Sequence, residues 1–173
     1  MTTMIDPVCG MQVEPHRNEV AYLGISYAFC SQQCQQRFLA NPHLYIGTPD
    51  HPSVKQQGKA VFKSRRIHLD APLTPEQAAI LAGELGQMMG IAGIKIKGRH
   101  VEVVYDLLQA TAEQIEQRLV ELGVRLGENW PERLRQAFVH YTEECELGNL
   151  GAEEMRRYCS PLTDWVWERH YKK

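Results

Sequence analysis

No stretch of this sequence approaches the roughly 18 consecutive apolar residues of a membrane-spanning helix. The opening residues, Met1-Thr2-Thr3-Met4-Ile5-Asp6, lack the basic start and apolar core of a secretory signal. Lysine and arginine form no block, and the formal net charge is -2. Nucleic-acid binding by bulk electrostatics is therefore not expected. Enzyme constellations are missing as well. There is no nucleophile–base pair, no phosphate-cradling glycine loop and no pair of carboxylates at informative spacing. Cysteine is scarce and odd in number, 5 in 173 residues. An odd number excludes a complete disulfide framework within one chain and fits thiols kept reduced. Together these absences predict a soluble, cytoplasmic, non-catalytic protein.

What is present is globular in composition, 43% hydrophobic and 23% charged. The length suits one ordinary domain or two to three small ones. Four stretches are expected: a metal-binding module over 1–47, a linker over 48–58, an α+β domain over 59–127 and a helical extension over 128–173. In the first, Val20 to Leu23 and Ile25 to Phe29 read as two strands around Gly24. Ile25, Tyr27 and Phe29 share a face by the period of two. A helix follows from Ser31 and ends before Pro42.

The third stretch reads β-α-β-β-α-β, the ferredoxin-like order. A strand over Val61 to Leu69 leads to a helix with Thr74 as N-cap and Pro75 at its first position. Ala78, Leu81, Leu85 and Met88 then follow helical spacing. Strands over Ala92 to Lys97 and His100 to Tyr105 precede a second helix at Thr111, ended by Gly123. Val124-Arg125-Leu126 is the expected last strand. In the extension, Leu134, Phe138, Tyr141 and Cys145 form one apolar stripe. Met155, Cys159, Leu162 and Val166 form another, broken at Ser160-Pro161, so a helical hairpin is expected.

The chemistry concentrates in three cysteines. Asp6-x2-Cys9 is followed after twenty residues by Cys30-x3-Cys34. Cys30 falls where strand meets helix and Cys34 one turn in, so both sulfurs reach one ion. The helix N-terminus favours the thiolate of Cys30. Pro7 and Gly10 bracket Cys9 as a tight knuckle requires. Three thiolates suit Zn(II) with a fourth ligand, or Cu(I) alone. Asp6 is the candidate fourth ligand, because it stands first in what would be a C-x2-C knuckle; the plain alternative is a turn with Pro7. His16 and His43 rank below it. Thiol redox work through Cys30 and Cys34 is a further reading, although that role typically uses Cys-x-x-Cys.

Asp6-Pro7-Val8-Cys9-Gly10-Met11, with Tyr22-x-Gly24-x-x-Tyr27-x-Phe29-Cys30-Ser31-x-x-Cys34-x-x-x-Phe38 and Pro42-x-x-Tyr45, resembles a YHS domain of the wider TRASH group. The resemblance implies a small treble-clef or zinc-ribbon relative concerned with heavy metals, with Cys9, Cys30 and Cys34 as ligands. It also implies company with copper-transporting P-type ATPases and metal-responsive regulators. The third stretch resembles heavy-metal-associated (HMA) domains in topology, but its first strand–helix loop, His68-Leu69-Asp70-Ala71-Pro72-Leu73-Thr74, has no cysteine. That family's metal site is therefore absent, and His68 alone reads as a surface or edge residue.

Other residues carry less. Cys145 and Cys159 read as core cysteines, the alternative being a second thiol site with His140. Met88-Met89 reads as core rather than a copper thioether pair. Trp165 and Trp167 cannot share one helix face, and an exposed tryptophan beside Tyr171 would suit a partner or a second copy. The expected function is a heavy-metal-binding accessory protein. The alternative is a structural zinc knuckle on an interaction adaptor.

Overall fold

The computed structural model describes residues 3–48, 50–127 and 130–150. The first stretch starts with two short antiparallel pairs. Strand β1 (Met4–Ile5) pairs with β2 (Gln12–Val13), so residues 6–11 form a loop closed at its base. Strands β3 (Val20–Tyr22) and β4 (Ile25–Tyr27) form a hairpin. Leu23 and Gly24 make its turn, both at positive φ (51° and 79°), as a two-residue type I′ turn requires. Helix α1 (Gln32–Ala40) starts at Ser31, whose hydroxyl accepts from the Cys34 N–H, and stops at Asn41 before a 3-10 turn, Pro42–Leu44.

Phe38 on α1 gathers Tyr22, Tyr27, Phe29 and Tyr45 at ring distances of 5.1 to 6.2 Å. The shared face expected for Ile25, Tyr27 and Phe29 is only half realised. Phe29 is buried, whereas Ile25 is 57% exposed.

The larger sheet is three-stranded and antiparallel, in the order β5-β7-β6, with β5 at Phe62–His68, β6 at Ile91–Lys97 and β7 at His100–Asp106. Alternation sends Ile67, Val101, Val103 and Tyr105 into one core with Leu81 and Leu85 of helix α2 (Pro75–Gly86) and Ile115 and Leu119 of helix α3 (Ala112–Glu121). Both helices open with reciprocal capping boxes, Thr74 with Gln77 and Thr111 with Gln114. The expected last strand shrinks to a single antiparallel bridge, Leu69 to Leu126. The other face of the sheet carries Phe62, Ser64, Arg66, His68, His100 and Glu102, and Phe62 is 62% exposed.

Thr48 and residues 50–58 are tied to their surroundings. Val54 is buried, the Lys55 N–H donates to the Leu44 carbonyl, and Thr48 bridges His51. The N-terminal module docks on the chain around β7. Arg37 donates to the Leu107 carbonyl (2.9 Å), Tyr45 to that of Leu108 (2.6 Å), and Gln33 to those of Met89 and Gln109. Asp106 ties the joint from below, accepting from the N–H groups of Val61 and Leu108. Burial of the Tyr45 phenol pushes its pKa up to about 12, so it stays a donor.

Helix α4 (Trp130–Asn149) corrects one expectation outright. Leu134, Phe138 and Tyr141 are 58%, 67% and 64% exposed, and Cys145 is exposed too. The buried side is led by Glu143 and Leu147 instead. The reason is charge: β5 turns Lys63 and Arg65 towards α4, and a carboxylate must meet them. Glu146 lies 2.6 Å from Lys63 Nζ, and Glu143 takes the Tyr105 hydroxyl and, at 2.8 Å, the Ala112 N–H. The second arm of the expected hairpin, with Met155, Cys159, Leu162, Trp165, Val166, Trp167 and Tyr171, lies outside the described residues.

Four α-helices and three small sheets thus make up the described residues, a mixed α/β arrangement. None of the described helices is long and apolar enough to cross a membrane.

Candidate metal centre

The loop between β1 and β2 is shaped by its own backbone. The Asp6 N–H donates to the Met11 carbonyl (2.9 Å) and the Gly10 N–H to the Asp6 carbonyl (2.8 Å). Gly10 sits at φ 80°, a conformation that side chains resist, which lets the chain fold back after Cys9. Cys30 arrives directly before the N-cap of α1, and Cys34 lies in its first turn.

These elements bring four side chains together. The ligand atoms of Asp6, Cys9, Cys30 and Cys34 all lie within 4.8 Å of one another. The sulfurs of Cys9 and Cys30 are 3.5 Å apart, as are those of Cys30 and Cys34. Three thiolates on one tetrahedral ion at about 2.3 Å would stand roughly 3.8 Å apart. A shift of a few tenths of an ångström thus seats an ion. Cys34 and Asp6 are fully buried, whereas Cys9 and Cys30 reach solvent. The donor set, soft sulfur with one carboxylate, fits a soft or borderline cation.

Asp6 does more than stand near the sulfurs. One carboxylate oxygen accepts from the N–H groups of Val8 (2.8 Å) and Cys9 (3.4 Å), and the other from that of Cys30 (2.8 Å). It therefore staples the loop that holds Cys9 to the strand end that holds Cys30. Three donors satisfy most of its acceptor capacity before any ion arrives. Ser31 adds a support that was not singled out from sequence: its hydroxyl accepts from the Cys34 N–H (3.3 Å) and lies 3.7 Å from Cys30 Sγ. A serine directly before a helical run is the signal that could have found it.

Contacts among the three thiols shift them in opposite directions. Cys9 is lowered to about 7, chiefly because the Cys34 thiol donates to it. Cys30 is raised to about 11, first by burial and then by its contact with Asp6. Cys34 is also pushed up, first by its bond to Cys9 and then by burial. The helix N-terminus does not outweigh that desolvation at Cys30. The bond from Cys34 favours the thiolate of Cys9. An ion taking all three thiolates displaces the remaining thiol protons.

His16 stays out of the cluster: its side chain is 82% exposed and pairs with Glu19 at 2.5 Å. His43 lies in the 3-10 turn and is not part of the group. His140 is 3.0 Å from Glu116, whose carboxyl is raised by burial and lowered by that histidine, so it serves the α3–α4 contact rather than Cys145. Met88 and Met89 are half-buried against the core.

Residues 4–48 match the family model of the YHS domain. The four clustered side chains all fall inside that segment. No curated protein matches the chain. Among solved structures, a protein described as "CsoZ metallochaperone" is 22% identical, covering 39% of this chain and 99% of that one, with a TM-score of 0.36, too remote to bear on function. The YHS segment and its cysteine–aspartate cluster support a metal-binding role.

Proposed function

We infer that this protein is a cytosolic accessory protein that binds Cu(I) or Zn(II) through Cys9, Cys30 and Cys34, with Asp6 as the fourth group, in heavy-metal trafficking, resistance or sensing. The observation that carries this reading is the Asp6 staple beside two solvent-reaching sulfurs. A carboxylate already bonded to three backbone amides holds the ligand-bearing segments together without an ion. An ion reached through the half-buried Cys9 and Cys30 can then leave without the fold leaving with it. That is what cargo exchange or sensing requires. The region over 59–127 serves as a ferredoxin-like, HMA-like scaffold without its own Cys-x-x-Cys. With α4 it recognises a partner, for which a metal-transporting P-type ATPase is the natural class.

Full burial of Cys34 beside Phe38 favours a second reading, a structural zinc knuckle on an interaction adaptor. Structural zinc contributes about 10–16 kcal/mol of apparent binding energy, so its removal would unfold the module. Elemental analysis of the reduced, purified chain beside a Cys34→Ser variant decides. The expected result is one equivalent of metal, lost in the variant, with the wild-type circular dichroism surviving chelation. A chain that carries no metal and takes up none stoichiometrically overturns both readings. Unfolding on chelation selects the knuckle.

A further inference from the structure

His68 closes β5 and His100 opens β7, and the two are register partners on antiparallel strands. Register partners project from one face of a sheet; here His100 is exposed, while His68 is half-buried and lines a shallow cavity with Glu132 and Arg135 of α4. His68 Nδ1 lies 3.2 Å from His100 Nε2, with ring centroids 4.8 Å apart. Two imidazole nitrogens bound to one tetrahedral ion at about 2.05 Å stand roughly 3.3 Å apart. The observed separation matches that chelate as closely as it matches a shared N–H···N bond.

We propose that His68 and His100 form a second metal site, separate from the sulfur centre, that takes a borderline divalent cation such as Zn(II), with water completing its shell. Imidazole nitrogen is a preferred donor for such ions. With the ion bound, His68 carries its proton on Nε2 and His100 on Nδ1, so the two facing nitrogens present lone pairs.

The site is held in place before binding. The Gly127 N–H donates to the His68 carbonyl (2.9 Å), and the Leu69 N–H to that of Arg99 (2.7 Å). The His68 ring lies against Gly127, where a Cβ would come within 3.2 Å of its Cδ2. The absence of a side chain there leaves the ring its room. Such preorganisation spares a metal the cost of ordering its ligands. Lys97, the register partner of His100 on its other side, places positive charge nearby and makes this site the weaker of the two. Six steps along β7, roughly 20 Å at about 3.4 Å per residue, separate His100 from the end where the sulfur-bearing module docks. The two centres therefore load independently.

The test is a Zn(II) titration of the reduced full chain against a chromophoric chelator, followed by nitrogen NMR of the imidazoles. It is repeated on His68→Gln and His100→Gln; His100 is exposed and His68 half-buried, so each glutamine fits without entering the core, and circular dichroism checks that the fold survives. The expected result is a second, weaker equivalent that shifts the ring nitrogens of both histidines and weakens by more than about tenfold in either variant. The first equivalent stays unchanged, which separates this site from the sulfur centre. Absence of a second equivalent, or its retention in either variant, overturns the proposal and leaves the pair as a hydrogen bond.

Discussion

Two regions are each anchored by one buried carboxylate, and they use it differently. In the N-terminal knuckle, Asp6 accepts three backbone N–H groups from Val8, Cys9 and Cys30, which stand 2, 3 and 24 positions away. On α4, Glu143 accepts the Ala112 N–H and the Tyr105 hydroxyl, 31 and 38 positions away, with Arg65 Nε at 3.6 Å. Burial and that carboxylate hold the proton on Tyr105. Asp6 shapes a site out of nearby chain, while Glu143 decides which face of a helix meets the sheet. The comparison teaches that a buried acid can organise local chemistry or choose a docking face. The distance of its partners along the chain tells which.

The largest expected effect breaks the second of these anchors. Glu143→Ala strands the Tyr105 hydroxyl, the Ala112 N–H and the Arg65 cation together. Removing one side of a buried charged contact costs about 3–5 kcal/mol. Urea unfolding should register that loss, and Leu147 should gain solvent in hydrogen exchange. A loss under about 1 kcal/mol would mean that Glu143 does not choose the docked face.

Asp6→Asn comes next. Its amide keeps the shape but offers one acceptor oxygen in place of two and no charge. We expect about 1–3 kcal/mol of destabilisation and a 10–100-fold fall in metal affinity at an intact cysteine set. Competition titration reads the affinity and urea unfolding the stability. Unchanged affinity would mean that the cysteines converge without the staple.

The smallest effect is Phe138→Ser. An exposed position away from such features should change stability by no more than about 0.5 kcal/mol, whereas a core phenylalanine would cost about 3–5 kcal/mol. A cost near the larger figure in the thermal or urea midpoint would show that the outward stripe is covered in solution.

Much of the centre was readable before folding was considered. Cys9, Cys30 and Cys34 belong to one short segment whose turns, N-cap and helix stop are local, so spacing alone predicts convergence. Thr74 and Thr111 announce their helices in the same way. Spacing cannot weigh desolvation, which is a property of the packed site and raises the Cys30 thiol. The pairing of His68 with His100 was also out of reach. Residues 32 positions apart become neighbours only through the β5–β7 register.

Helix α4 marks the sharpest limit. Its stripe of Leu134, Phe138, Tyr141 and Cys145 is a correct reading of helical periodicity, yet it faces outward. Periodicity tells that a helix has two faces; it does not tell which face the neighbour needs. The sequence alone pointed to the β3–β4 hairpin, helices α1, α2 and α3 with their N-caps, the convergence of the cysteines and their YHS resemblance, because these depend on near neighbours along the chain. Tertiary structure decided how the knuckle docks on the β7 joint and which side of α4 is buried. Those choices depend on desolvation and on charges such as Lys63 and Arg65, which meet their carboxylates only when distant segments come together.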